Sequence, residues 1–214
     1  MRYKKNSVSA APGKIKAVIF DFGNVICRFD NSLFIANIAA YSELTIEQLH
    51  EVIYSNSDIP GLYETGRIST DEFYREAVRL CRLNMTMGEF VSAFTEIFEP
   101  INETFQLIHR LSPCYKLGLL SNTNELHFQY GIKRTEVFPL FDTVTLSYEV
   151  NAMKPDMKIF LDALEKLELK PDECVFIDDI KAYADAASGL GICGIQYVSH
   201  EGLLGDLRGR GVDC

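Results

Sequence analysis

The chain has 214 residues, 47% of them hydrophobic and 24% charged, and its 21 lysines and arginines against 30 aspartates and glutamates give a formal charge of −9. These proportions exclude a disordered or fibrous chain, and the acidic balance argues against a nucleic-acid footprint while leaving room for an anionic small substrate in a locally positive pocket. No apolar run approaches the roughly 18 residues that a membrane span requires, and six scattered cysteines (Cys27, Cys81, Cys114, Cys174, Cys193, Cys214) with no CxxC pair read as thiols in a reducing cytoplasm, not as a disulfide framework.

Residues 1–14 open with Met1-Arg2-Tyr3-Lys4-Lys5 and continue through a Ser/Ala/Pro/Gly-rich stretch, which predicts a loose, flexible lead-in without a secretory signal. Ala17-Val-Ile-Phe20 is the first predicted strand. An apolar run with little polar alternation suits a strand covered on both faces, as in a parallel sheet. From residue 31 to 103 no strand is expected. Three helix starts stand there instead: Ser42-Glu-Leu-Thr45 before Ile46, Ser69 with Glu72 spaced as a capping box, and Thr86 before Met87-Gly-Glu-Phe90. This reads as about 70 helical residues inserted after the first strand. Phe90, Phe94 and Phe98 within it are read as core.

Lys116-Leu-Gly-Leu-Leu120, Thr143-Val-Thr-Leu146 and Cys174-Val-Phe-Ile177 predict three further strands, and Gly194-Ile-Gln-Tyr-Val198 a weaker fifth. Helical spacing marks Phe105–Leu111, Asp156–Leu167 and Tyr183–Leu190, with Met157, Phe160, Leu161 and Leu164 on one stripe. Strands alternating with helices give an α/β class, a doubly wound, Rossmann-like parallel sheet. The division that follows is a core of 15–30 and 104–214 and a helical insert of 31–103.

In such sheets ligands bind beyond the carboxyl ends of the strands. Asp21-Phe-Gly-Asn-Val-Ile26 follows the first strand, Ser121-Asn-Thr-Asn124 the second, Met153-Lys154-Pro155-Asp156 lies past the third, and Asp178-Asp179 ends the fourth. Acidic groups, a hydroxyl and an ammonium thus gather at one edge. A carboxylate there can attack phosphorus and form an aspartyl phosphate. Two anions need a cation between them, and a hard divalent ion on carboxylate and carbonyl oxygens supplies it. A serine hydroxyl and a lysine ammonium can hold the oxygens of the transferring group.

These four segments resemble the motifs of the haloacid dehalogenase-like (HAD) superfamily, over about Ile15 to Val198, with the helical insert where that superfamily places its small C1 cap. The likeness is closer to the branch that holds bacterial alpha-D-glucose-1-phosphate phosphatase and the phosphatase domain of soluble epoxide hydrolase. It rests on Phe20-Asp-Phe-Gly-Asn-Val-Ile26, on Ser121-Asn-Thr-Asn124 with His127, and on the cap turn Glu64-Thr-Gly-Arg-Ile-Ser69. The resemblance implies Asp21 as nucleophile. It implies Mg²⁺ held by Asp21, the Gly23 carbonyl and Asp179, with Asp178 behind them. Ser121, the Asn122 backbone amide and Lys154 would grip the phosphoryl oxygens, and the cap would close over a small phosphorylated metabolite, with sugar phosphates among the candidates.

Two departures qualify it. The usual hydrolase has a second aspartate two residues after the nucleophile to protonate the leaving group; this chain has Gly23. Either another group or water supplies the proton, or the chemistry is slow. Four positions past Asp179, where Asn or Asp is usual, stands Tyr183, and Asn151 replaces a common glycine before the lysine. His127 is read as a packing residue, and His50, His109 and His200 as structural. The rival expectations are a catalytically weak binding or regulatory protein, which Gly23 and Tyr183 favour, and a metal-free dehalogenase, which the Asp178-Asp179 pair disfavours.

Overall fold

A computed structural model of the chain describes residues 15–55 and 57–213; the lead-in 1–14 and Cys214 lie outside the described residues. The strands are β1 (Ala17–Phe20), β2 (Cys27–Phe29), β3 (Phe98–Pro100), β4 (Lys116–Ser121), β5 (Thr143–Leu146), β6 (Cys174–Asp178) and β7 (Cys193–Gln196). Five of them form a parallel sheet in the order β5-β4-β1-β6-β7, so β1 is central. All four of its residues are buried, which is why no polar residue interrupts it. Its side chains alternate. Val18 and Phe20 enter a core with Phe105, Ile108 and Leu207, while Ala17 and Ile19 meet Ile159, Phe160 and Ala187 on the other face.

Register decides where the polar residues land. Phe20 pairs with Leu119 of β4 and with Ile177 of β6. Asp21, Ser121 and Asp178 therefore leave the sheet at the same edge.

Helices Asn31–Ala39, Ile46–His50, Ile59–Glu64, Thr70–Cys81 and Met87–Thr95 surround a second apolar cluster that contains Phe34, Tyr63, Phe73, Phe90 and Phe94. Capping boxes start three of them, at Thr45 with Gln48, Ser69 with Glu72 and Thr86 with Glu89. Each N-cap is worth about 1 kcal/mol. Phe34 meets Phe94 edge-on at 4.8 Å, and Tyr63 stacks on Phe73 at 4.4 Å. Phe90 and Phe94 are core residues, as expected; Phe98 is only half-buried and packs against both clusters.

Three expectations need correction. The stretch 31–103 contains a strand: β3 pairs antiparallel with β2, Phe98 opposite Phe29 and Pro100 opposite Cys27. Three residues ending in proline carry no readable alternation. Second, Met157 (61% exposed) and Leu161 (53%) face solvent; the buried stripe is Ile159, Phe160, Ala163, Leu164 and Leu167. The stripe is rotated because the i, i+1, i+4, i+5, i+8 set packs on the sheet. Third, β7 is Cys193–Gln196, so Tyr197 and Val198 lie beyond the strand. Cys27, Cys81, Cys114, Cys174 and Cys193 are free thiols. No helix among the described residues is long and apolar enough to cross a membrane.

Candidate active site

Asp21 is held at the end of β1 by its own N–H, which donates to the Ile177 carbonyl at 2.9 Å, and only 7% of the residue is exposed. Its Oδ1 lies 2.7 Å from Lys154 Nζ, and the same ammonium lies 2.6 Å from Asp178 Oδ2. Asp178 is fully buried, and its Oδ1 takes the Ile180 N–H at 2.8 Å. Both oxygens of Asp178 are therefore engaged inside the protein, which suits a residue standing behind the site.

Lys154 is positioned by its backbone. Its N–H donates to Asn122 Oδ1 at 2.7 Å, and its carbonyl accepts from Asn122 Nδ2 at 3.2 Å. The side chain of Asn122 thus clamps the lysine; the sequence pointed only to its backbone amide. The ammonium also lies over the Tyr183 ring at 5.2 Å and the Phe176 ring at 5.5 Å, a favourable cation–π arrangement. Tyr183 supports Lys154 from the helix where Asn or Asp was expected. Ser121 ends β4, 3% exposed, and its Oγ has one long contact, 3.4 Å to the Asn122 carbonyl. That hydroxyl is available to a ligand. Asp179 is half-buried; its Oδ2 accepts Asn24 Nδ2 at 3.1 Å, and its carbonyl accepts Gln196 Nε2 at 3.1 Å. Asn24, at φ +53°, was not singled out from the sequence, although an asparagine in a tight turn tolerates that geometry.

Charge and donor type fit a hard cation. Asp21, Asp178 and Asp179 each offer an oxygen within 4.8 Å of one another. Only two of the three, Asp21 and Asp178, share the Lys154 ammonium. Burial and the nearby Asp178 push the Asp21 carboxyl up to about 7 although Lys154 opposes them. Burial works against the charge on Lys154, yet Asp21 and Asp178 together hold its pKa above the ordinary lysine value. This excess of acidic oxygens, with no nitrogen or sulfur among them, is the donor set Mg²⁺ selects. The turn after Asp21 is closed by Asn24 N–H to the Cys27 carbonyl at 2.7 Å and Cys27 N–H to the Phe22 carbonyl at 3.0 Å. Both bonds fall on Gly23's neighbours and not on its own carbonyl.

A side chain at Gly23 would need the Phe29 ring to move. A Cβ there would lie 2.8 Å from Cε1 of Phe29. The edge of that ring, 39% exposed, fills the place an acid would take unless it swings outward.

The cap turn is tied to the core. Ser147 Oγ lies 2.6 Å from the Glu64 carbonyl and 2.9 Å from that of Thr123, and it accepts the Thr123 N–H at 2.8 Å. Asn151, at φ +55°, donates from Nδ2 to the Thr65 carbonyl at 3.0 Å. Thr70 Oγ1 donates to Glu125 at 2.5 Å, and Tyr63 OH accepts the Leu126 N–H at 3.2 Å. Gly66, at φ +65°, packs so closely that a Cβ would stand 2.1 Å from the Tyr148 carbonyl oxygen. His127 belongs to the same set of ties. The Phe94 carbonyl can only accept, so Nε2 donates to it at 3.0 Å, and Nδ1 accepts from Asn124 Nδ2 at 3.1 Å. Its ring stacks on Phe94 at 4.2 Å, and burial pushes its pKa down to about 4. It is a neutral strut between cap and core.

The profile of the haloacid dehalogenase-like hydrolase family matches residues 15–191. The chain belongs to this family. Among HAD relatives, the D-ribitol-5-phosphate phosphatase of Bacteroides thetaiotaomicron is 29% identical over 77% of this chain and 83% of its own length. The phosphorylated carbohydrates phosphatase of Thermotoga maritima is 26% identical over 87% of this chain and 86% of its own. The HAD family enzyme BT-2542 of B. thetaiotaomicron, whose structure is a complex with magnesium and inorganic phosphate, shares the fold. Its TM-score is 0.75 at 24% identity, over 87% of this chain and 98% of that one. These matches carry the superfamily; they do not carry the narrower likeness to the glucose-1-phosphate branch.

Proposed function

We propose that the protein is a Mg²⁺-dependent phosphatase that hydrolyses a small phosphorylated metabolite of the sugar or polyol class through a phosphoryl group carried on Asp21. The observation that supports this best is the meeting of Asp21, Ser121, Lys154, Asp178 and Asp179 at one sheet edge, from four separate segments. The relatives that act on D-ribitol 5-phosphate and on phosphorylated carbohydrates point to the substrate class.

Asp21, Asp179 and the Gly23 carbonyl would hold Mg²⁺, whose charge lets an anionic phosphate approach an anionic nucleophile. The chain's residues do the rest. Asp21 Oδ attacks phosphorus in line with the departing oxygen. Lys154 and the Ser121 hydroxyl hold the equatorial oxygens, and the Asn122 clamp keeps Lys154 from swinging. Asp178 keeps Lys154 charged. Water then displaces Asp21 from phosphorus, and inorganic phosphate leaves. The cap turn over this edge shields the site from bulk water.

Gly23 favours a second reading, a binding protein that grips phosphate without turnover. One experiment separates the two: steady-state rates on p-nitrophenyl phosphate and D-ribitol 5-phosphate, with Mg²⁺ and with a chelator. The phosphatase reading expects turnover of both esters, abolished by the chelator and restored by Mg²⁺. Phosphate binding without turnover would establish the second reading, and turnover indifferent to the chelator would remove the metal.

A further inference from the structure

We propose that Glu64, on the cap, is the proton donor to the departing oxygen and takes the place of the acid that Gly23 cannot provide. This rests on the phosphatase reading. Four observations carry it.

First, position 23 carries no acid, and the edge of the Phe29 ring lies 2.8 Å from where a Cβ there would be. Second, Glu64 sits where cap meets core. It lines a small enclosed cavity with Tyr54 and Asn31 from the cap and Asn124 and His127 from the loop and helix that follow β4. Its backbone is anchored through Ser147 to Thr123, two residues past the phosphate-gripping Ser121. Third, its carboxylate oxygens take no hydrogen bond or ion pair from the described residues, and the only influence on its protonation is burial, which pushes it up to about 7. An unpartnered carboxyl in that range holds a proton near neutrality and can release it.

The fourth observation is elimination among the neighbours. The Nε2–H of His127 is committed to the Phe94 carbonyl, and burial keeps that ring neutral. Burial pushes the Tyr54 phenol up to about 12 and raises Tyr183, so neither gives up a proton readily. Asp179 accepts from Asn24 and belongs with the cation-binding group.

The step balances. Asp21 Oδ forms a bond to phosphorus as the bond from phosphorus to the substrate oxygen breaks. The Glu64 proton goes to that oxygen, which leaves as an alcohol. Glu64, now a carboxylate, takes a proton from the water whose oxygen attacks phosphorus, and the bond from phosphorus to Asp21 breaks. Inorganic phosphate leaves, and both side chains return to their starting states.

A proton donor matters most for a poor leaving group, so the test compares esters. Glu64→Gln should lower kcat/KM on D-ribitol 5-phosphate by about 100-fold or more, while p-nitrophenyl phosphate, whose leaving group needs little protonation, loses less than about fivefold. Glu64→Asp should recover part of the ribitol ester rate. Equal losses on both esters, or no loss on either, overturn the proposal. A measurement on the unaltered enzyme guards against a folding defect. Across aryl phosphates of graded leaving-group acidity its kcat/KM should vary little, and a steep dependence there overturns the proposal without any variant. Failure of the unaltered enzyme to turn over either ester would instead refute the phosphatase reading, and that arm reports before any variant is made.

Discussion

Replacing His127 by glutamine should change how acid affects the stability of the fold, and the size of the change follows from the structure. The ring stacks on Phe94 at 4.2 Å, and its pKa is about 4 in the folded chain against an ordinary 6.5. Between those values the unfolded chain binds a proton that the folded chain refuses. The contribution is therefore complete above 6.5 and drains away as pH falls towards 4. At pH 5 the unfolded histidine is about 1.5 units past its midpoint, and at about 1.4 kcal/mol per unit the loss is about 2 kcal/mol. Glutamine keeps an N–H for the Phe94 carbonyl and has nothing to titrate, but it forfeits the ring stack, worth about 1 kcal/mol. Urea unfolding followed by circular dichroism should find the unaltered protein the more stable by about 1 kcal/mol at pH 8. At pH 5 the order should reverse by a similar amount. Other titrating groups are common to both proteins and cancel in the difference. Two stability curves that stay parallel from pH 8 to pH 5 would refute the assignment of His127 as a buried neutral strut.

Lys154→Met should abolish turnover and destabilise the fold by about 3–5 kcal/mol, because it strands Asp21 and Asp178 in the interior without their shared cation; adding Asp178→Asn should recover part of that loss in the same denaturation assay. Gly66→Ala should lower the melting temperature at a cost of about 1–3 kcal/mol, since the residue sits at φ +65° and its Cβ would lie 2.1 Å from the Tyr148 carbonyl oxygen. Gly23→Asp should fold, because the obstructing atom is the far end of a Phe29 ring that is 39% exposed and can swing outward. Added to Glu64→Gln, it should restore turnover of alkyl phosphates more than of aryl phosphates, and equal effects on both would count against a missing proton donor as the cause of the Glu64→Gln loss.

Much of this architecture is legible in the order of residues. Ala17–Phe20 and Cys174–Ile177 are apolar throughout because both faces of the sheet are covered, and the first polar residue after each run marks the edge where Asp21 and Asp178 emerge. Capping boxes at Ser69 and Thr86 announced helix starts because the donor and acceptor are three residues apart. What escaped depends on partners distant in the chain. The β2–β3 ribbon joins residues about 70 positions apart through three-residue strands, too short for a pattern. The clamp of Asn122 on Lys154 spans 32 positions, and the hold of Asn151 on Thr65 spans 86. Met157 and Leu161 misled because hydrophobic type alone sets no stripe when two overlapping stripes are available; packing on the sheet chose Ile159 and Ala163. Glu64 opens the cap turn marked in the sequence, but nothing local gave it a role, since it becomes an unpartnered carboxyl only once the cap lies on the core.

The central claim is that Asp21 takes the phosphoryl group. Rapid mixing of the Mg²⁺-loaded enzyme with radiolabelled aryl phosphate, followed by an acid quench and peptide mapping, tests it directly. The account predicts label on the peptide that carries Asp21, released by hydroxylamine as an acyl phosphate would be, and no label in Asp21→Asn. Turnover that leaves Asp21 unlabelled, or that survives Asp21→Asn at an undiminished rate, would contradict it.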